Sequence, residues 1–222
     1  MSFMKSLQIV IIVLITMSRI VYSKKDYSIF FQTWINQVSV VKHGQQIQDS
    51  NFLCLCLLCD TPYEIKKHIQ ELKCLPTGML DSKSPYCVGD FCRLEFSNLD
   101  SCVIPLLFYI EADMDFTKSL ILATFNCNGE ELSSRVIASD DVQFRPLTNP
   151  SDSLTLIFFQ YIILNNILYV RECHYNYKNL LLEDISIHAY NISCDGKIQE
   201  IDYNGIKSLK IFDGIIPKKW EI

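Results

Sequence analysis

Glycine and proline are scarce in this sequence of 222 residues, which contains seven of each. So few chain-breaking residues exclude a collagen-like chain and leave no long flexible linker. Hydrophobic residues make up 49% of the chain, too many for an intrinsically disordered protein. Basic residues are outnumbered, and the formal net charge of −5 has the wrong sign for a nucleic-acid binder. The composition therefore predicts a folded protein without a nucleic-acid partner.

Catalytic and cofactor motifs are also missing. The sequence contains no GxSxG, HExxH, GxGxxG or P-loop pattern. The four histidines, His43, His68, His174 and His188, lack the spacing of a metal site or a catalytic triad. His174 directly follows Cys173, and adjacent side chains on a strand point to opposite faces, so we expect no joint action from this pair. We expect a protein that is not an enzyme and that needs no cofactor and no metal.

The first 23 residues have the pattern of a cleaved signal peptide. Lys5 supplies the early positive charge, and residues 7–17 form an apolar run that is too short to span a membrane. Val21 and Ser23 suit positions −3 and −1 of a cleavage site. A buried N-terminal helix or an uncleaved signal anchor is the alternative. We expect a secreted, extracellular protein without stable insertion into a membrane.

Cleavage after Ser23 would leave residues 24–222 as the mature chain. It would remove Lys5 and Arg19 from the 20 basic residues and none of the 25 acidic ones, so the net charge would become −7. An acidic extracellular protein attracts basic partners. The mature length suits a single domain with one core.

Ten cysteines, all within the mature chain, predict disulfides because an exported chain folds in an oxidising compartment. Their spacing does not determine how they pair. A thiolate metal site within residues 54–74 is the alternative, although no histidine stands at zinc-finger spacing. The predicted disulfide cysteines are Cys54, Cys56, Cys59, Cys74, Cys87, Cys92, Cys102, Cys127, Cys173 and Cys194.

Short alternating segments separated by turn signals predict an all-β fold, a disulfide-stapled β-sandwich of two sheets with about nine strands. The pairs Asn128-Gly129 and Asp195-Gly196 are expected turns, and Asn165-Asn166 is expected to fold the apolar stretch 154–170 into a hairpin. Strands are expected within 27–41, 52–58, 92–96, 103–115, 120–126, 132–137, 154–170, 184–190 and 197–203, with loops over the rest of 74–101 and over 140–153.

One short helix is expected at residues 62–73. Thr61 suits the N-cap and Pro62 the first helical position. Ile65, Ile69 and Leu72 recur at helical spacing and give the helix one apolar face. No second helix is expected in the mature chain.

The candidate partner-binding residues are acidic. Glu111, Asp113 and Asp115 alternate in sequence, so an extended strand would turn all three carboxylates to one side. Such a face is either a solvated strand end or a docking surface for a basic protein. Calcium is a third interpretation, although the spacing is not that of an EF-hand. Asp140 and Asp141 form a second acidic pair, in an expected loop.

Two further surface features follow from short motifs. Asn191-Ile192-Ser193 is an N-glycosylation sequon, whereas Pro150 blocks the one at Asn149. Paired lysines near both mature ends either solvate the termini or make weak contact with glycosaminoglycan.

Three segments carry a family resemblance: CRLEFSNLD at 92–100, RVIASDDVQFRPLTNPSDSL at 135–154 and DISIHAYNISCDGKIQ at 184–199. Their order and separation resemble the secreted poxvirus family typified by the viral CC-chemokine inhibitor. That family also includes relatives that bind other cytokines or retain class I histocompatibility molecules. The sequence departs from the pattern at Ser101-Cys102, where the family continues its Leu-Asp turn with Pro-Trp, and in the cysteine-rich segment 54–74.

The resemblance implies a soluble β-sandwich decoy that sequesters a host chemokine or cytokine and so serves viral immune evasion. Two alternatives remain open. One is a binder of a class I histocompatibility molecule or a colony-stimulating factor, and the other is a structural or adhesion domain.

Overall fold

The computed structural model describes residues 27–48, 62–69, 71–75, 86–112, 118–139, 155–176, 179–201 and 212. Two helices lie within these ranges: α1, at residues 27–35, and α2, at Tyr63–Ile69. The strands are β1 (Ser39–Val41), β2 (Gln46–Gln48), β3 (Tyr86–Leu94), β4 (Ile104–Ala112), β5 (Lys118–Phe125), β6 (Glu131–Ser139), β7 (Thr155–Leu164), β8 (Ile167–Asn176), β9 (Leu182–Ile192) and β10 (Ile198–Ile201).

The strands form two five-stranded sheets, as the predicted β-sandwich requires. Sheet I has the order β1-β3-β4-β5-β6, and sheet II has the order β10-β9-β8-β7-β2. β1 pairs with β3 in parallel, and the other pairings within the described ranges are antiparallel. The fold is therefore all-β. Most long strands that follow one another in the sequence are also hydrogen-bonded neighbours in the same sheet.

The main core lies between the sheets. Alternate residues of each strand face the opposite sheet because side chains along a strand point to the two faces in turn. From sheet I come Leu94, Leu107, Tyr109, Leu120 and Leu122, and from sheet II come Phe159, Tyr161, Ile163, Leu168, Val170 and Tyr190.

The two helices cover the outer face of sheet I. Phe31 and Ile35 of α1 and Ile65 and Ile69 of α2 are buried against that face. Burial on both faces explains why residues 104–110 of β4 are apolar without alternation.

The prediction of strands across residues 27–41 is therefore wrong for residues 27–35. Phe31 and Ile35 lie one helical turn apart and are each only 1% exposed, whereas Ile29 on the opposite side of the helix is 59% exposed. Only Ser39–Val41 of this segment forms a strand among the described residues. The expectation of no second helix is wrong for the same reason.

Turn chemistry is confirmed at the three predicted positions. Gly129 and Gly196 have φ angles of 79° and 88°, and Asn165 and Asn166 have φ angles of 52° and 58°. These residue types adopt the left-handed region at low cost, and the two-residue turn at Asn165-Asn166 requires it at both positions. The three turns connect the strands of the β5–β6, β7–β8 and β9–β10 hairpins.

Other element boundaries shift. The described helix in 62–73 is Tyr63–Ile69, followed by turns up to residue 75. The loop expected before residue 92 is wrong from Tyr86 onward, since Tyr86–Gly89 pairs with Tyr109–Ala112 of β4. The predicted strand at 52–58 and the predicted loop at 140–153 lie outside the described residues. No helix in the part of the chain that the structure describes is long and apolar enough to cross a membrane.

Candidate ligand-binding site

Of the predicted acidic residues, the structure describes the backbone of Glu111. Glu111 lies near the end of β4, opposite Cys87 of β3 and Lys118 of β5. Asp113, Asp115, Asp140 and Asp141 lie outside the described residues. The predicted acidic face therefore remains a prediction.

A different acidic feature lies beside the helices, where α1, α2 and the β5–β6 hairpin surround an open cavity of about 710 Å³. None of the described residues that line this cavity is one of the predicted acidic residues. It is lined by Tyr27 and Ser28 from α1, Lys67 and His68 from α2, Glu71 just after α2, and Phe125, Asn128, Gly129, Glu130 and Glu131 from the hairpin.

Hydrogen bonds that α1 donates to the hairpin hold this helix in place. The side-chain amide of Gln32 donates to the carbonyl oxygen of Cys127, and Ser28 Oγ donates to Asn128 Oδ1 at 3.3 Å. Gly129 lets the two elements approach, because a Cβ at this position would lie 2.7 Å from Tyr27 Cε1. One wall of the cavity is therefore fixed by the sequence of the hairpin tip.

The segment after α2 is held by the other side of the hairpin. Lys73 N donates to Glu131 Oε2 at 3.3 Å, and Cys74 N donates to Ser134 Oγ at 3.2 Å. Ser134 Oγ donates in turn to Glu131 Oε1 at 2.6 Å. Glu131 thus has a structural role, whereas Glu71 and Glu130 are exposed at the cavity.

The aromatic wall of the cavity is uncharged at neutral pH. The rings of Tyr27 and His68 stack with their centroids 3.6 Å apart. Burial raises the pKa of the Tyr27 phenol and lowers the pKa of the His68 imidazole, although Glu71 opposes the shift of His68. An uncharged aromatic surface beside exposed carboxylates suits a cationic side chain, which gains both cation–π and charge-assisted contacts.

A second polar cluster lies at the open side of the sandwich, between β6 of sheet I and β8–β10 of sheet II. Arg135 Nη2 donates to Glu200 Oε2, and Glu200 Oε1 lies 3.1 Å from His188 Nδ1. Glu172 joins the two histidines, since its Oε2 lies 3.0 Å from His174 Nε2 and its Oε1 lies 4.0 Å from His188 Nε2. The cluster runs from exposed Arg135 to Glu172, whose side chain is only 10% exposed.

This cluster lacks the geometry of a catalytic triad. Ser186 Oγ lies 3.4 Å from His174 Nε2, which is the same nitrogen that Glu172 contacts. In a triad the acid and the nucleophile occupy different ring nitrogens. Within the described ranges no group of three or more His, Cys, Asp or Glu is arranged to hold a metal ion.

The sequence pattern contained a signal for this cluster. Glu172 and His174 alternate along β8, Ser186 and His188 alternate along β9, and the register places Glu172 opposite Ser186. Period-two spacing therefore puts all four on one face. Because His174 and His188 lie on different strands, their common neighbour Glu172 cannot be recognised from the spacing of the histidines in the sequence.

Six of the predicted disulfide cysteines form no disulfide with one another in the described ranges, namely Cys74, Cys92, Cys102, Cys127, Cys173 and Cys194. Cys92 and Cys173 are buried, and Cys92 Sγ lies 3.4 Å from Tyr161 Oη. Cys87 lies on β3, and Cys54, Cys56 and Cys59 lie outside the described residues. The disulfide framework remains a prediction.

The glycosylation candidate Asn191 lies half-buried on β9, between Ile167 of β8 and Gln199 of β10. Ser193, the third residue of the sequon, closes the following turn. Its Oγ accepts from Lys197 N at 3.0 Å and donates to Asp195 Oδ1 at 2.5 Å. Glycosylation of Asn191 remains a prediction.

Comparisons with family models, curated proteins and solved structures find no significant match to this chain. A β-sandwich hosts many unrelated functions, so the function has to be argued from the site itself.

Proposed function

We propose that this protein is a secreted decoy that sequesters a basic host chemokine or cytokine, as the resemblance to the poxvirus family implies, and that it catalyses no reaction. The observation that carries the proposal is the cavity between α1, α2 and the β5–β6 hairpin. Its stacked Tyr27 and His68 and its exposed Glu71 and Glu130 match the chemistry of an arginine or lysine side chain.

The overall charge supports the same partner. The mature chain would carry a net charge of −7, and opposite net charges speed the encounter of two proteins. Lys67 also lines the cavity and offsets part of the negative charge there. The carboxylates attract a basic side chain of the ligand, whereas Lys67 repels one that lies too close to it. The cavity would therefore accept a basic side chain only in a particular position.

Export, immune evasion, glycosylation at Asn191 and disulfide formation belong to the same proposal. Residues 1–23 would direct the chain to the secretory pathway, where asparagine sequons are glycosylated and thiols are oxidised. The decoy would then act outside the cell that makes it.

The test measures binding kinetics of the secreted protein and of the variant Glu71→Gln/Glu130→Gln against a panel of basic chemokines, at low and physiological salt. We expect slower association and a shallower salt dependence in the variant, because steering charges act mainly on the association rate. Hydrated pairs of this kind contribute about 0.2–1 kcal/mol each. Glu131 is left intact because it caps the segment after α2.

A matched control, Glu95→Gln/Glu183→Gln, removes the same charge from exposed residues that do not line the cavity. Equal loss in both variants would show that only net charge matters and would overturn the role of the cavity. Failure of every basic chemokine in the panel to bind, with a class I molecule or a colony-stimulating factor bound instead, would overturn a basic chemokine as the ligand.

A further inference from the structure

Two cysteines meet where the β3–β4 connection reaches the β5–β6 hairpin. Ile104 of β4 and Phe125 of β5 form the outermost pair of that ladder. Cys102 and Cys127 each lie two residues beyond this pair. The antiparallel register, if extended outward by two residues, would place them opposite each other.

The two side chains are neighbours. Cys127 Sγ lies 4.0 Å from the carbonyl oxygen of Ser101, the residue before Cys102, and the nearby Cys102 side chain is the largest cause of the raised pKa of the Cys127 thiol. Opposed residues of antiparallel strands have Cα atoms about 4.5–5.5 Å apart, which falls within the range that a disulfide spans. Cys102 is exposed and Cys127 is half-buried, so an oxidant can reach the pair.

Neighbouring hydrogen bonds fix both backbones. Cys102 N donates to Asp100 Oδ1 at 3.0 Å, and Val103 N donates to the carbonyl oxygen of Asp100 at 2.9 Å. On the other side, the amide of Gln32 donates to the carbonyl oxygen of Cys127. These hydrogen bonds therefore hold in place the two backbone segments that carry Cys102 and Cys127.

We infer that Cys102 and Cys127 form a disulfide in the secreted protein. The inference rests on the proposed export, because the reaction needs a disulfide-bearing oxidant such as that of the secretory pathway. The thiolate of one cysteine attacks the oxidant disulfide, forms a mixed disulfide and releases one oxidant thiol. The second cysteine then displaces the other oxidant thiol, so that two protons and two electrons leave the protein pair and the oxidant is reduced to two thiols.

Cys194 is the competing partner within the described ranges. Asp100 N donates to the carbonyl oxygen of Cys194 at 3.3 Å, which brings this exposed cysteine to the same turn. The position of Cys127 Sγ, 4.0 Å from the carbonyl oxygen of Ser101, favours Cys127 over Cys194 as the partner of Cys102.

The test is peptide mapping of the full chain, secreted from eukaryotic cells with its own residues 1–23. Free thiols are alkylated, and the protein is digested with trypsin without reduction. Trypsin cleaves after Arg93, Lys118, Arg135, Lys178 and Lys197, so the three cysteines of interest fall in separate peptides. Cys102 is the one cysteine of peptide 94–118, Cys127 of peptide 119–135, and Cys194 of peptide 179–197.

We expect peptides 94–118 and 119–135 to be joined, with the mass of two hydrogens less than their sum, and to separate on reduction. A link between 94–118 and 179–197, or alkylated thiols at both Cys102 and Cys127, would overturn the inference. Recovery of the protein from the medium reports export, and the tryptic peptide 20–24, which spans Ser23, is present only if residues 1–23 have not been removed. A failure of export is therefore distinguished from a failure of pairing.

Variants supply a second measurement. Cys102→Ser and Cys127→Ser should each lower the melting temperature by a similar amount, and the double variant should be no worse than either, because one bond is lost in all three. Cys194→Ser is the control and should leave peptides 94–118 and 119–135 joined. Additive effects of the two single variants would contradict a shared bond.

Discussion

At the scale of single residues, the tip of the β5–β6 hairpin determines how the helical layer meets sheet I. Gly129 has a φ of 79°, and an added Cβ would lie 2.8 Å from Phe31 Cγ. We expect Gly129→Ala to lower the free energy of unfolding by about 2–4 kcal/mol, from left-handed strain and overpacking together. Gly44 also has a positive φ, of 75°, but no atom lies within 4 Å of its added Cβ.

Gly44→Ala should therefore lose only about 1 kcal/mol, from backbone strain alone. Denaturation by urea measures both changes. Equal losses in the two variants would contradict the packing role that the structure gives to Gly129.

A second prediction at this scale concerns pH. Cys173 is fully buried, and in the reduced protein burial raises the pKa of its thiol to about 11 from an ordinary value near 9. Between pH 9 and pH 11 the unfolded chain therefore loses this proton before the folded chain does. The free energy of unfolding should be constant below pH 9 and should fall by roughly 2–3 kcal/mol by pH 11 from this group.

Cys173→Ala is the appropriate comparison, because it removes the titrating thiol while leaving the other alkaline groups, including Cys74. Urea unfolding of both proteins, kept reduced, from pH 7 to pH 11 should give stabilities that converge above pH 9. A constant difference across that range would contradict the pKa shift of Cys173.

Residues with local preferences could be predicted from the sequence, and residues with non-local partners could not. Asn165, Asn166 and Gly129 favour left-handed backbone by themselves, so their turns follow from short motifs. His174 and His188 acquire Glu172 as a shared neighbour only through the β8–β9 register. Register depends on the whole sheet and is not specified by any one segment.

At the scale of elements, helix α1 shows where local propensity misleads. Its residues include Ile29, Phe30 and Ile35, which favour strands on their own. The outer face of sheet I needs a cover, and a helix can bury Phe31 and Ile35 on one side. Tertiary packing therefore outweighs the preference of the individual residues.

The β7–β8 hairpin allows a paired test of one element. Both Asn165 and Asn166 have positive φ, but only the Asn166 side chain is seen to bridge to another element, accepting from Ser97 N at 2.9 Å and from Ser97 Oγ at 3.0 Å. Asn165 contributes its backbone N–H, which donates to His43 Nε2 at 3.1 Å. Glycine satisfies the turn geometry at either position.

Asn165→Gly should therefore change the free energy of unfolding by no more than a few tenths of a kcal/mol. Asn166→Gly should lower it by about 0.5–1.5 kcal/mol, because two hydrogen bonds that join this hairpin to the loop after β3 are lost. Thermal denaturation of the two variants checks the difference. A larger loss for Asn165→Gly would contradict the assignment.

At the scale of the whole molecule, the contacts between the two sheets are apolar in the middle of the sandwich and polar at one edge. Apolar residues such as Tyr109 and Phe159 fill the middle, whereas Arg135 and Glu200 join β6 to β10 at an exposed edge. The two-sheet architecture follows from the number of alternating segments, which the sequence displays. The cavity beside α1 could not be anticipated, because it depends on a helix that the pattern of residues 27–35 concealed.

The last prediction separates two acidic surfaces of the molecule. Glu111, Asp113 and Asp115 are the predicted docking residues, and the backbone register places Glu111 opposite Lys118. If a basic ligand meets this strand end as well as the cavity, replacing all three by serine should slow association and weaken its salt dependence. Each hydrated pair contributes about 0.2–1 kcal/mol, so the combined loss should stay below roughly 3 kcal/mol.

The control replaces three exposed acidic residues elsewhere, Glu95, Glu183 and Asp184, by serine. Far-ultraviolet circular dichroism first establishes that both variants keep the β-sandwich. Binding kinetics at two salt concentrations then compare them with Glu71→Gln/Glu130→Gln. Charges at an interface act mainly on a partner that lies within about a Debye length. If the strand end is a docking face, replacing its acidic residues should therefore slow association more than the control substitutions do. An effect no larger than that of the control would make Glu111, Asp113 and Asp115 a solvated strand end and leave the cavity as the recognition site.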